Sequence, residues 1–299
     1  MRKVFLSLAI IASMTASAQL LDVGQVEKIN LPAGVVASQT ALSPDGSFAV
    51  IHNNGGLSKV DLATGKTAQI AQSAAFIDVE ISEDGSTIVY REPSFQKNLR
   101  YTTLKSVNLD NGVSNTIVAP TRNLQGFALS KNSVGAVDNG KFTSKKLDGT
   151  AGALIPVASI NRGALCVTVN GVTNNISPQG TEGQSYLWPS ISPDGKKVLY
   201  YLVSGGAYVC NLDGSKAVSL GNMRAPKWYN NDIVVGMQDK DNGEIIIASK
   251  LVAASVDGKV KQNLTQDSSM AMYPSVDKEG NKVAYVTTAG ELFVININK

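Results

Sequence analysis

The chain has 299 residues, of which 43% are hydrophobic, 17% charged and 6% aromatic, which is too apolar a composition for a disordered protein. Two cysteines exclude a disulfide-rich scaffold, and 27 glycines without a three-residue period exclude collagen. The formal net charge of +3 gives no electrostatic argument for nucleic acid or an anionic membrane as the partner.

The first 18 residues have the three parts of a secretory signal peptide. Arg2 and Lys3 form a positive start, residues 4–14 are apolar, and Ala16-Ser17-Ala18 is a small-residue cleavage site. The apolar run is too short to span a bilayer, and no transmembrane span is predicted elsewhere. We predict an exported protein, periplasmic or secreted, that is cleaved near Ala18-Gln19 and leaves residues 19–299 as one domain.

Six segments of the mature chain share a tight turn of the Ser-Pro-Asp-Gly type. Each has an apolar residue three positions before the acidic or asparagine position, and a β-rich run directly after the turn. The segments span residues 40–47, 79–86, 127–134, 189–196, 226–233 and 274–281. Each unit is therefore predicted to be a strand, a turn and a second strand.

A second turn signal follows most of these units. Asp-Gly and Asn-Gly pairs stand between two further β-rich runs, as at residues 110–112, 148–149, 213–214 and 257–258. These pairs suit two-residue hairpins, because both central positions take positive φ. The repeat is therefore four antiparallel strands in about 40–45 residues, which is the blade of a β-propeller.

The two ends of the mature chain complement each other. The last unit ends after three strands, while residues 23–31 supply an unassigned strand ahead of the first unit. We predict an all-β propeller whose ring is closed by the N-terminal strand, which leaves no exposed edge. The anchor turns give six blades, which we favour. The hairpin signals give seven, two of which would have only roughly 34 residues each.

The anchor turns Ser43-Pro44-Asp45-Gly46 and Ser192-Pro193-Asp194-Gly195 resemble the repeat of the TolB-like (WD40-like) propeller family, and residues 82–85 fit the same pattern. The resemblance implies a periplasmic, typically six-bladed propeller that binds other envelope proteins, in a family that also includes propellers attached to serine peptidases. From the residues themselves, we interpret the aspartates as acceptors for turn backbone N–H groups and the glycines as positions of positive φ.

Patterns for catalysis are sparse. His52 is the only histidine, which argues against a multi-histidine metal site and leaves one candidate base for a triad. We interpret it as a turn residue with satisfied hydrogen bonds. Asp78 and Glu80 could face the channel as a glycosidase pair, but similar acids do not recur on opposite blades. No G-x-S-x-G motif is present.

Two further patterns bear on metals and disulfides. Residues 239–244 are one residue short of the spacing of a calcium loop, and Asn242-Gly243 is more typical of a hairpin turn. We therefore predict no metal and no cofactor. Cys166 and Cys210 lie about one repeat apart. They could form a disulfide between adjacent blades of an exported protein, or remain two buried thiols.

The irregular segments fall on the face that carries the connections into each blade. We expect the residues just before each first strand to ring the channel mouth there. Large amphipathic side chains on this rim are of the type that anchors partners, and an expected long loop over 91–101 adds to them. The candidate binding residues are Trp188, Tyr273, Arg224, Asp78, Gln39, Phe95 and Arg100. The alternative for Trp188 and Tyr273 is that they fill gaps between blades.

Two functional hypotheses follow. The first is an exported, non-enzymatic propeller that binds an envelope or extracellular protein, a peptide or a glycan on the loop-rich face. The second is a small carbohydrate-active enzyme, a glycosidase or lyase, with its site in the central channel. Two acids about 5–10 Å apart in a pocket would favour glycosidase chemistry. No residue is assigned a catalytic role, and the partner and the oligomeric state stay open.

Overall fold

The computed structural model describes residues 19–74 and 79–299, and this part of the chain forms seven antiparallel sheets arranged as blades. Blade 1 contains β2 (Gln39–Leu42), β3 (Phe48–Asn53), β4 (Gly56–Asp61) and β5 (Thr67–Ala71). Blade 2 contains β6 (Val79–Ile81), β7 (Thr87–Gln96), β8 (Leu99–Asn108) and β9 (Ser114–Thr121). Blade 3 contains β10 (Leu124–Ser130), β11 (Ser133–Asp138) and β12 (Lys141–Lys146).

The second half of the ring follows the same plan. Blade 4 contains β13 (Val157–Asn161), β14 (Ala164–Val169) and β15 (Val172–Asn175). Blade 5 contains β16 (Tyr186–Ile191), β17 (Lys197–Leu202), β18 (Gly206–Asn211) and β19 (Val218–Gly221). Blade 6 contains β20 (Arg224–Trp228), β21 (Ile233–Asp241), β22 (Ile246–Ser255) and β23 (Lys261–Asn263), followed by a short 3-10 helix (Asp267–Ser269). Blade 7 contains β24 (Ala271–Val276), β25 (Lys282–Thr287), β26 (Leu292–Asn298) and β1 (Asp22–Ile29).

The ring has seven blades, and the favoured count of six is wrong. The inner strands contact one another in the closed order β2, β6, β10, β13, β16, β20, β24 and back to β2. Five blades have four strands, but blades 3 and 4 have three each. The count of six was based on the anchor turn, which joins the first two strands of a regular blade. Blade 4 has no anchor turn, because the turn between β13 and β14 consists only of Arg162-Gly163.

The innermost strand of blade 4 runs opposite to that of blade 3. Near the start of β10, Gln125 donates from Nε2 to Oδ1 of Asn161 at the end of β13, at 2.7 Å. One residue further on, a Cβ added to Gly126 would lie 2.6 Å from the carbonyl oxygen of Ala158. Compared with a regular four-stranded blade, blade 3 therefore lacks its outer strand and blade 4 lacks the usual inner strand. The strand that follows takes the inner position in reverse.

The predicted closure of the ring is confirmed. β1 pairs antiparallel with β26, from Asp22 opposite Asn298 to Ile29 opposite Leu292. Leu21 and Ile29 are buried in the clusters on the two sides of blade 7. The core of the protein consists of such apolar clusters, each lying between the faces of neighbouring blades. Because both faces of a blade are covered, the central strands carry apolar residues on both sides.

The predicted role of the anchor-turn aspartates is also confirmed. Ser43 Oγ donates to Asp45 Oδ1 at 2.7 Å and accepts the N–H of Phe48 at 3.0 Å, while Asp45 accepts the N–H of Ser47. The Ser43 hydroxyl, followed by the Ser47 N–H, lowers the pKa of Asp45. The same arrangement recurs at Ser82–Asp84 and Ser192–Asp194. These turns close the blades on the face opposite the predicted rim.

Within residues 19–74 and 79–299, no helix is long and apolar enough to cross a membrane. The predicted signal peptide, residues 1–18, lies outside the described residues. Export therefore stays a prediction.

Candidate functional site

Three consecutive inner strands carry the same bulge at the channel mouth. Trp188, Ala225 and Tyr273 each precede a proline and have φ of 49°, 45° and 51°. The pairing of β16, β20 and β24 with their neighbours shifts register at these positions. A positive φ is costly for a residue with a side chain, and proline restricts its predecessor further. Bulges re-aim side chains, and strained backbone of this kind clusters at functional sites.

Arg224, Asp239 and Tyr273 form a polar cluster beside two of these bulges. Arg224 Nη1 donates to Asp239 Oδ2 at 2.5 Å, where the arginine side chain is 39% exposed and the aspartate 3%. Burial raises the pKa of the Tyr273 phenol. The positive charge of Arg224 lowers this pKa and the negative charge of Asp239 raises it, so the phenol is within electrostatic range of both groups. The cluster thus combines a half-exposed cation, a buried anion that fixes it, and a phenol.

The two aromatic candidates have mixed roles. Trp188 packs on Tyr201 with ring centroids 5.2 Å apart, and it is half-buried at the mouth of blade 5. Tyr273 packs against the apolar clusters on both sides of blade 7. Tyr273 therefore fills a gap between blades, as the alternative interpretation expected, while its phenol is within electrostatic range of Arg224 and Asp239.

The other predicted rim residues do not join this cluster. Gln39 is buried at the start of β2, opposite His52. Phe95 and Arg100 lie across from each other on β7 and β8, so the expected long loop is a regular hairpin that projects from blade 2. Its two-residue tip adopts positive φ at both positions, which is the geometry of a tight hairpin turn. Asp78 lies outside the described residues.

His52 lies in β3 and not in a turn, whereas the acidic segment of blade 6 spans the end of β21 and the turn that follows it. His52 Nδ1 lies 3.0 Å from Ser38 Oγ, which supports the interpretation as a residue with satisfied hydrogen bonds. Asn242-Gly243 turns the β21–β22 hairpin, as predicted. The described residues contain no group of three or more histidine, cysteine, aspartate or glutamate side chains that could hold a metal ion. The expected absence of a metal stays a prediction.

The two cysteines are buried thiols and do not form the disulfide that was the other alternative. Cys166 on β14 and Cys210 on β18 are both free and buried. Burial raises the pKa of both thiols, to about 12 for Cys210, where the Asp213 charge adds to the effect. Neither thiol is set up as a nucleophile, because the reactive form is the thiolate.

The ion pair of Arg224 with Asp239 was not predicted from the sequence. Asp239 was considered only as part of a calcium loop, because its proximity to Arg224 depends on the pairing of β20 with β21. The X-Pro pairs at Trp188, Ala225 and Tyr273 were a usable signal, since they recur in three consecutive blades. Proline in an inner strand is expected at a bulge.

These features define a seven-bladed β-propeller with a polar cluster at one mouth of its channel. No protein-family model and no curated protein matches the sequence, so the TolB-like resemblance has no support from a family match. The chain is similar in structure to an oligogalacturonate lyase from Vibrio parahaemolyticus, with a TM-score of 0.60 and 13% sequence identity over 92% of this chain and 94% of that one.

Two other solved structures are similar. A chain of the mitotic checkpoint complex has a TM-score of 0.61 and 9% identity over 100% of this chain and 99% of that one. An oligogalacturonate lyase in complex with manganese has a TM-score of 0.48 and 17% identity over 91% of this chain and 79% of that one. The first two similarities, at these identities, establish the propeller fold alone.

The first functional hypothesis, a non-enzymatic binding scaffold, is contradicted by the comparison with known structures. The lyase from Vibrio parahaemolyticus is an enzyme, and it has this fold over nearly the whole length of both chains.

Proposed function

We propose that the protein is an exported carbohydrate-active enzyme that cleaves an acidic oligosaccharide at the channel mouth of blades 5 to 7. The observation that carries the proposal is the half-exposed guanidinium of Arg224, held by the buried Asp239 beside the phenol of Tyr273. The shared fold with a lyase named for oligogalacturonate supports the substrate class. Export rests on residues 1–18, and a TolB-like origin of the repeat rests on its anchor turns.

An acidic sugar suits the cluster chemically. A guanidinium pairs with a carboxylate through two parallel N–H···O bonds, and the donors of Arg224 that Asp239 does not use can serve this purpose. Asp239 fixes the guanidinium, which reduces the entropy lost on binding. On the neighbouring blade, the half-buried Trp188 offers a ring face and an N–H donor to the rest of the sugar.

Tyr273 is suited to donate a proton. The phenol carries its proton at neutral pH, and the positive charge of Arg224 opposes the rise in pKa that burial causes, which favours release of the proton. In elimination, the carbon next to the carboxylate loses its proton, a carbon–carbon double bond forms and the bond to the next sugar's oxygen breaks. That oxygen takes the proton of Tyr273, the proton released from carbon passes to a solvent water, and the phenolate regains a proton from solvent, so no co-reactant is consumed. Pairing the carboxylate with Arg224 makes the carbon-bound proton more acidic.

The test is to incubate the purified protein with polygalacturonate and trigalacturonic acid. Elimination gives new reducing ends together with the ultraviolet absorbance of the new double bond, whereas hydrolysis gives reducing ends alone. Tyr273→Phe should lower kcat by about 10²-fold or more with little change in KM. The matched control is Tyr208→Phe, because Tyr208 stacks on Tyr200 in the third strand of blade 5. Full activity of Tyr273→Phe would remove its role, and no cleavage by the wild type would overturn the proposal.

A further inference from the structure

A second concave site lies on the same face, where blades 3 and 4 meet. It is a cavity of about 440 Å³. Its wall combines two arginines, four amide side chains, one glycine and two aliphatic residues. The lining residues are Arg122, Asn123, Leu124, Gln125, Asn139, Gly140, Ile160, Asn161 and Arg162.

The cavity exists because two strands are missing. In a regular blade the turn after the innermost strand lies on the opposite face, where the anchor turns are. In blade 4 the reversed β13 brings its turn, Arg162-Gly163, to the channel-mouth face. Arg162 therefore lines the same space as Arg122, which precedes β10. This pair of arginines is a product of the irregular blades and has no equivalent in a ring of complete blades.

Hydrogen bonds hold the wall of the cavity in place. Gln125 is the central residue, since its Nε2 donates to Asn161 Oδ1 at 2.7 Å and its Oε1 accepts the N–H of Gly140 at 2.9 Å. The N–H of Asn139 donates to the carbonyl oxygen of Asn123 at 3.1 Å. The two blades are thus tied together around the cavity. A site that is ordered before binding loses less entropy when a ligand enters.

The charges of the wall are all of one sign. Arg122 and Arg162 are exposed, and no carboxylate belongs to the described wall of the cavity. Two guanidinium groups can pair with a ligand carboxylate, and the amide groups can donate to and accept from hydroxyl groups. Leu124 and Ile160 add a small apolar surface. A hydroxyl-rich ring that bears a carboxylate matches all three features.

We propose that this cavity is a binding subsite for a uronate residue, separate from the Arg224–Tyr273 cluster. The class of ligand rests on the proposed function, whereas the location and the role of Arg122 and Arg162 rest on the cavity alone. Around the ring, the cavity at β10 and β13 is followed by Trp188 on β16, Arg224 on β20 and Tyr273 on β24. In the order of the inner strands, Trp188 therefore stands between the cavity and the cluster.

Binding is measured by calorimetry in the Tyr273→Phe protein, so that no ligand is consumed. The ligands are trigalacturonic acid and its fully methyl-esterified form, which keeps the rings and removes the charges. The test variant adds Arg122→Gln and Arg162→Gln. The charge-matched control adds Lys131→Gln and Lys196→Gln, at exposed residues in turns of the opposite face.

We expect the arginine variant to bind trigalacturonic acid about 10²-fold more weakly, because each charged hydrogen bond contributes about ten-fold or more. The lysine control should stay within about two-fold, since exposed charges at a distance are screened. Equal affinity of the two variants, equal affinity for the ester and the acid, or no binding at all overturns the inference.

The outcome is separable from that of the proposed function, because cleavage is measured in proteins that retain Tyr273. Weakened binding in the arginine variant without any cleavage by the wild type supports the subsite and overturns the enzyme. Cleavage by the wild type with undiminished binding in the arginine variant overturns the subsite and leaves the enzyme standing.

Discussion

Arg224 and Asp239 form an ion pair in which the cation is at the surface and the anion is beneath it. Their N–O distance is 2.5 Å, with 39% of the arginine side chain and 3% of the aspartate side chain exposed. The second carboxylate oxygen, Asp239 Oδ1, is buried and has no hydrogen-bond partner among the described residues. The pair is therefore asymmetric, because losing the cation leaves a buried charge unpaired.

This asymmetry predicts unequal effects of the two single substitutions. Arg224→Gln should lower the free energy of unfolding by about 2–3 kcal/mol, since a buried carboxylate loses its counter-ion. Asp239→Asn should lower it by only about 1 kcal/mol, because the guanidinium that remains is half-exposed and can be hydrated. Urea unfolding of both single variants and the double variant measures the coupling between them. Equal losses would contradict this account of the pair.

A second prediction follows from the close contact between blades 3 and 4. A Cβ on Gly126 would lie 2.6 Å from the carbonyl oxygen of Ala158 and 2.8 Å from Cβ of Ser159. Gly126→Ala should therefore lower the free energy of unfolding by about 2–3 kcal/mol, as overpacking does. The control is Gly112→Ala, at a turn with φ of 72° and open space around it, where backbone strain alone costs about 1 kcal/mol. Similar losses in the two variants would argue against the tight contact.

Alkaline pH should destabilise the protein. Burial raises the pKa of Cys210 from 9.0 to about 12, and burial together with the Glu92 charge raises the pKa of Tyr90 from 10.0 to about 12. Above about pH 9 the unfolded chain releases protons that the folded chain keeps. The free energy of unfolding therefore falls as pH rises, by up to about 1.4 kcal/mol per pH unit for each group.

Urea unfolding at about pH 8 and at about pH 10.5 measures this loss. Cys210→Ala removes the thiol and should make the decrease shallower. Native Cys166 and Cys210 should also resist a thiol reagent until the protein unfolds. A flat stability curve over this range, or rapid labelling of the native protein, would show that the thiols are not buried as described.

Replacing the buried Asp277 by asparagine should stabilise the protein. It stands in the anchor turn of blade 7, where Oδ1 accepts the N–H groups of Asn281 and Lys282, and only 2% of the residue is exposed. Burial raises the pKa of Asp277, so the stability present below pH 3.8 is lost as pH rises through the folded pKa. Asp277→Asn keeps the acceptor oxygen, removes the charge and should increase the free energy of unfolding at neutral pH by about 1 kcal/mol.

The control for Asp277→Asn is Asp45→Asn, which should change the free energy of unfolding in the opposite direction. The pKa of Asp45 is lowered by its hydrogen bonds, so its charged form stabilises the turn above pH 3.8. Its replacement should lower the free energy of unfolding at neutral pH by only about 0.5 kcal/mol, because Asp45 is exposed and solvent screens its charge. At about pH 3 both differences should shrink. Destabilisation by Asp277→Asn at neutral pH would mean that the charge itself is needed there.

The local features of the fold could be read from the sequence. Ser43-Pro44-Asp45-Gly46 and its relatives predicted the anchor turns, because few residue types satisfy that hydrogen-bond pattern and a positive φ together. The strand of residues 23–31 predicted closure, because an unpaired β26 would leave an open edge. Both predictions depend on chemistry within a few residues or on counting strands.

The number of blades and the composition of the two sites were decided by tertiary structure. No residues of the sequence mark the strands that blades 3 and 4 lack. The reversed direction of β13 is visible only in its packing beside β10. Arg224 meets Asp239 through the pairing of β20 with β21, and Arg122 and Arg162 line one cavity because blades 3 and 4 pack together. The sequence alone determined turns and strands because their energetics are local. The contacts that form the sites depend on the closed ring.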